Sequence, residues 1–265
     1  MKSQKFDAMR IGRSANPALT KNTFMQVMSH TADEKVMTIQ GTVNKSFILL
    51  ILVLLGAFYT WNMFFDAVDS QQGLSRILPW MIGSGIGGFV VALITIFKKT
   101  WAQYSAPVYG LLEGLFLGGL SAMVEMQFKG QALVMQAVAL TLGTLFALLV
   151  AYKSGLIKVT RNFRLGVVAA TGGIFLVYMI SFIVSLFGAK VPFMYGNSLL
   201  SIGISLFVVV IAALNLVLDF DFIEEGAKTG APKYMEWYAA FGLMVTLIWL
   251  YIEILRLLTK LASRD

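Results

Sequence analysis

The chain has 265 residues, of which 58% are hydrophobic and 13% charged, whereas a soluble globular domain is about half apolar and one quarter charged. Its formal net charge of +7 lies in the N-terminal segment and in short loops rather than along a soluble helix. That distribution excludes nucleic acid as a partner and points these cations at anionic lipid headgroups. Cysteine is absent, which removes disulfides, thiolate metal sites and cysteine nucleophiles.

Residues 1–45 form a polar, basic arm carrying Lys2, Lys5, Arg10, Arg13, Lys21, Lys35 and Lys45. The arm holds a turn signal, Asn16-Pro17, and a capping-box pattern, Thr31-Ala-Asp-Glu34, ahead of a short juxtamembrane helix. No short apolar stretch sits near the start as in a cleaved signal peptide, so the first apolar run is expected to be retained. Seven apolar runs follow, at 46–66, 77–97, 105–124, 131–152, 164–187, 198–219 and 236–258. Each approaches the ~20 residues that cross a ~30 Å hydrocarbon layer. Backbone groups in lipid find no outside partner, so runs this long and uniformly apolar must be helices. The expectation is an all-α, polytopic membrane bundle of seven transmembrane helices spanning 46–260.

Lysine and arginine set the orientation. The arm and the second, fourth and sixth loops carry 15 of them, and the first, third and fifth loops carry Arg76, Lys129 and Lys190. The positive-inside rule places the N-terminus in the cytoplasm. Arg256, Lys260 and Arg264 run against the rule if the last segment crosses fully, and with it if that segment is re-entrant. Both forms stay open. Small residues at Gly83 and Gly87, at Gly114 and Gly118, and at Thr171-Gly172-Gly173 mark three places where helices are expected to pack closely.

An ionisable residue at bilayer depth is costly and normally faces the bundle interior. Glu113 stands mid-segment beside Gly114. It reads either as part of a polar pathway or as a neutral acid hydrogen-bonded to a neighbouring carbonyl. Asp219 ends the sixth run, and Asn215 lies four residues earlier on the same helix face, in line with Ser205 and Ser201. Asp221, Glu224 and Glu225 read as a solvated acidic loop. Glu253 lies inside the last run, and it either pairs with Arg256 three residues on or stands alone while Arg256 snorkels to the headgroups. The single histidine, His30, is in the polar arm and reads as solvated. Metalloprotease and Ser/His/Asp sets need histidines the chain lacks, and no P-loop or Gly-x-Gly-Asp protease signature is present, so no enzymatic activity and no cofactor are expected.

The segments Leu111-Leu-Glu-Gly-Leu-Phe-Leu-Gly118, Asn215-Leu-Val-Leu-Asp-Phe-Asp-Phe-Ile223 and Ile248-Trp-Leu-Tyr-Ile-Glu-Ile-Leu-Arg-Leu-Leu258 carry a resemblance. In that order and placement, over about residues 40–260, the chain resembles the transmembrane Bax-inhibitor-motif family (Bax inhibitor-1/YccA-like), in its bacterial branch. The resemblance implies a central last helix wrapped by the other six, in a bacterial plasma membrane. It also implies a pH-sensitive calcium leak governed by paired carboxylates, with Asp219 matching the first acid and Glu253 the second. A basic residue that locks the closed state in some members matches Lys98 or Lys99. Two carboxylates sharing a proton couple opening to pH, and their oxygens suit a weakly held, transient calcium ion. A straight helix from Met235 sets Glu253 about 25 Å along it, far from an Asp219 at the cytoplasmic end. The other reading the family offers is a non-transporting interaction protein that modulates a membrane protease or a stress response, with the arm as docking element.

Overall fold

A computed structural model describes residues 36–67, 69–188, 196 and 198–264. Among the described residues seven helices follow in order: α1 (Ile39–Phe65), α2 (Ser70–Phe97), α3 (Ala102–Gln127), α4 (Leu133–Lys153), α5 (Arg161–Leu186), α6 (Leu199–Lys228) and α7 (Met235–Ala262). A 3₁₀ turn, Lys99–Trp101, joins α2 to α3. All seven are long and apolar enough to cross a membrane. The capping-box residues 31–34, His30 and Lys190 lie outside the described residues.

Helix starts follow from side chains that satisfy exposed N–H groups. Thr38 accepts from Gly41 N, Asp69 from Gln72 N, Thr160 from Phe163 N and Ser198 from Ser201 N. The arm's last residues therefore run into α1 at Ile39 as one unbroken helix. After α6 the chain reverses at Gly230, whose φ of 68° suits a residue without a Cβ. That turn is pinned by Met37 N donating to Ala231 O at 2.6 Å.

The last segment is one continuous helix of 28 residues, about 42 Å long at 1.5 Å per residue, which is ample for a full crossing. It is the most buried span and packs on α1, α3, α4 and α6, the central position expected of it. α2 packs chiefly on α1 and α3. Phe222, Tyr238, Phe241 and Tyr109 build the core where α3, α6 and α7 meet. Outward faces are apolar, with Phe58, Phe89, Phe175 and Phe182 all exposed, as a lipid-facing surface requires.

Of the three small-residue patches, Gly114–Gly118 is the close contact. A Cβ at Gly114 would run into Val53 O, and one at Gly118 into Ala57 O. Here α3 lies directly on the backbone of α1. The other two expectations need correction. A Cβ at Gly83, Gly172 or Gly173 would meet nothing within 4 Å, and one at Gly87 would meet only the side chain of Leu112 of α3, so neither patch brings backbone against backbone.

Candidate functional site: a polar column along α6 and α7

One face of α6 carries Ser201, Ser205, Asn215 and Asp219, all buried, in the i, i+4 rhythm that aligns side chains on a helix. This face meets α7, with Ala212 and Leu216 packed among Leu250 and Ile254. Lys260 of α7 fixes the register. Its ammonium donates to Ser201 Oγ and Ser205 Oγ, both at 2.8 Å, and to Ser201 O at 3.3 Å.

Counting antiparallel from that contact puts Glu253 opposite Val210 and Asp219 opposite Met244. The two acids then sit at depths about 13 Å apart, nine residues at 1.5 Å each. Glu253, 1% exposed, accepts from Tyr178 Oη at 2.9 and 3.0 Å, from Trp249 Nε1 at 3.3 Å and from Arg256 Nη1 at 3.2 Å. Arg256 also donates to Tyr178 Oη at 2.7 Å. Of the two readings of Glu253, the structure takes the pair with Arg256. Asp219, 0% exposed, lies deeper toward the arm end. The shared-proton dyad implied by the resemblance is thus replaced by two separate buried carboxylates on one column. The physical reason is the uninterrupted α7, which carries Glu253 past the level of Asp219.

Asn215 donates to Thr171 Oγ1 of α5 and to Ile211 O, both at 2.8 Å. Glu113 is half-buried elsewhere, against α2, where a Cβ at Gly88 would lie 2.9 Å from its Oε1. Lys98 rests over the Trp101 ring at 4.5 Å, and Lys99 over the Tyr238 ring of α7 at 5.9 Å. Of these two, Lys99 is therefore the lysine that touches the central helix.

The acidic run after Asp219 is not simply solvated. Asp221 is paired with Arg164 of α5, and Glu224 accepts from Tyr152 Oη of α4 at 2.6 Å while pairing with Lys228. These contacts fasten α4 and α5 to the arm end of α6. At the same end Glu236, fully buried, accepts from Thr38 N and Thr38 Oγ1, both at 2.9 Å, and pairs with Lys45 and Lys233. Its carboxyl occupies the space a side chain on Gly41 would need. Glu236 escapes notice in the sequence because it opens an apolar run, where an acid reads as wetted. Lys233 three residues before it is the only local hint.

A family model described as Bax inhibitor 1 like matches residues 16–263. The chain belongs to this family. Neither a curated protein nor a solved structure matches it. For this Bax inhibitor 1 like chain, the match covers all seven helices and both acids of the column, so the column sits within the family's own sequence rather than in an appended segment.

Proposed function

We propose that the protein conducts a cation, calcium first, along the polar column between α6 and α7. Asp219 and Glu253 act as successive carboxylate stations. The observation that carries the reading is that both acids are buried, on facing helices, with the buried Asn215 between their levels. Buried acids in a membrane bundle mark ion or proton paths. Among the described residues no three His, Asp or Glu side chains converge. Each station therefore offers one carboxylate, with hydroxyl, carbonyl or water oxygens beside it, which is fewer fixed ligands than calcium prefers. Such weak, separated sites suit passage rather than storage. Protons compete with the cation for the same oxygens, and this couples conduction to pH.

The proposal sets the arm end in the cytoplasm of a bacterial plasma membrane. Lys45, Lys98, Lys99, Lys153, Lys158, Arg161, Lys228 and Lys233 belong to that end. Of the three cations that run against the positive-inside rule, two are absorbed in the far-end cluster, Arg256 by Glu253 and Lys260 by the two serines. A second reading, a docking protein for a membrane protease or stress factor, draws on the arm's root. Glu236, Thr38 and Met37 hold that root in one place, so a partner would meet it in a fixed position.

Calcium entry into proteoliposomes tests the first reading. Asp219→Asn and Glu253→Gln are each expected to cut flux about tenfold or more, with the pH profile flattened in both. Flux unchanged in both variants removes the column from the mechanism. Partners pulled down from native membranes only when residues 1–40 are present, together with no flux, would favour docking.

A further inference from the structure

Three polar residues of α5 recur every seven positions: Arg164, Thr171 and Tyr178. A seven-residue step returns to nearly the same helix face, and each of the three meets a polar group of α6 or α7, those of Thr171 and Tyr178 lying in the column. Arg164 pairs with Asp221, Thr171 accepts from Asn215, and Tyr178 joins Glu253 and Arg256. Val167, Ile174 and Ser181, each three residues after a rung, are the buried residues of α5. They too are seven apart. Ile174 packs on Val208 and Ile211 of α6.

The rest of α5 is loosely held. With α4 it is the least buried span, and its backbone approach is to α6. A Cβ at Gly166, Gly172 or Gly173 would touch nothing within 4 Å, so no close backbone contact locks it. Its outer face, with Phe175 and Phe182 exposed, is presented to lipid. α5 is thus the wall between lipid and the part of the column running from Asn215 to Glu253.

We infer that α5 is a detachable side wall, latched to α6 and α7 by the rungs at Arg164, Thr171 and Tyr178, and that these rungs part when the column conducts. This rests on the conduction reading, whose failure the experiment separates from its own. Polar rungs suit a latch, because each is one discrete contact that breaks and remakes while the helix itself stays intact. Close glycine packing of the kind α3 makes on α1 gives no such option.

The chain has no cysteine, so introduced thiols report alone. The first arm tethers α5 to α6 in Ile174→Cys/Ile211→Cys protein, at an apolar contact outside the rungs and the column, with a short bis-methanethiosulfonate in proteoliposomes loaded for calcium entry. Tethering is expected to lower flux at least tenfold, and reductant to restore it. Flux indifferent to the tether overturns the latch while leaving conduction standing. The second arm needs no flux. Val208→Cys lies under α5, and a charged methanethiosulfonate reacts with it only where water reaches the thiolate. Tyr178→Phe with Arg164→Gln, which keeps the ring and the side-chain length, is expected to raise the labelling rate about three- to tenfold by weakening the closed arrangement. An unchanged rate overturns the latch even if no variant, nor the native chain, conducts.

Discussion

The α1–α3 contact and the α5 seam solve the same problem in opposite ways. In lipid, apolar side chains gain little by leaving one apolar neighbour for another, so helices associate through close van der Waals approach or through polar contacts. α1 and α3 use the first, with Gly56, Gly114 and Gly118 bringing backbone against backbone. Among the described residues, Thr60 Oγ1 donates across these helices to Leu115 O at 3.0 Å. α5 uses the second, with open glycines and three polar rungs. Close packing admits a single arrangement, whereas rungs admit a made and an unmade state. The column lies beside the helix that has two states.

The largest expected effect tests the close-packed side. Gly118→Leu forces a side chain into Ala57 O and Thr60 Oγ1, where the nearest obstacle is backbone and cannot turn aside. Overpacking of this kind is expected to cost about 3 kcal/mol or more. Gly173→Leu, into open space, is expected to stay within about 0.5 kcal/mol. Thermal unfolding in detergent checks both. Equal losses at the two sites would erase the difference between the regions.

The Glu236 clasp lies between these extremes. Its carboxylate is fully buried and satisfies two cations and two groups of Thr38. Glu236→Ala strands Lys45 and Lys233, but both retain some water, so the loss is expected to be about 2 kcal/mol rather than the full cost of breaking a wholly buried pair. The same change is expected to speed proteolytic cutting of the arm near Val36, because Thr38 and the Met37–Ala231 contact lose their anchor. Resistance to cutting that matches the native chain would show that the arm's root is held elsewhere.

Much of this was legible in the residues. Seven runs near membrane length gave the seven helices, and the four-residue rhythm of Asn215 and Asp219 with Ser205 and Ser201 put the stripe on one buried face, where the serines meet Lys260 of α7 and Asn215 meets Thr171 of α5. Pairing across helices was not legible, because periodicity fixes which face a residue occupies and not which neighbour meets it. Asp221 reads as wetted until Arg164, 57 residues earlier, is seen beside it. Thr171 reads as a small residue in a packing patch until Asn215 is seen to donate to it. The offset between Asp219 and Glu253 depends on how far α7 slides along α6, and Lys260 seated on Ser201 and Ser205 sets that slide. The heptad of Arg164, Thr171 and Tyr178 was in plain view. In a run of apolar residues three scattered polar ones look like noise until their partners give them a common face.

The smallest effect sharpens the comparison most. Thr171→Val keeps the shape of the side chain and removes the hydroxyl that accepts from Asn215 Nδ2, while Asn215 keeps its bond to Ile211 O. A single interhelical hydrogen bond in a membrane protein is worth about 0.6 kcal/mol, and rarely more than about 1.7. A double-mutant cycle of Thr171→Val with Asn215→Leu is therefore expected to give a coupling near the lower figure, read from unfolding in mixed micelles. Three rungs of that size hold a helix firmly at rest yet leave it within reach of thermal opening. A coupling well above the upper figure would make α5 as fixed as α3, and the contrast between the two regions would then describe composition alone and not motion.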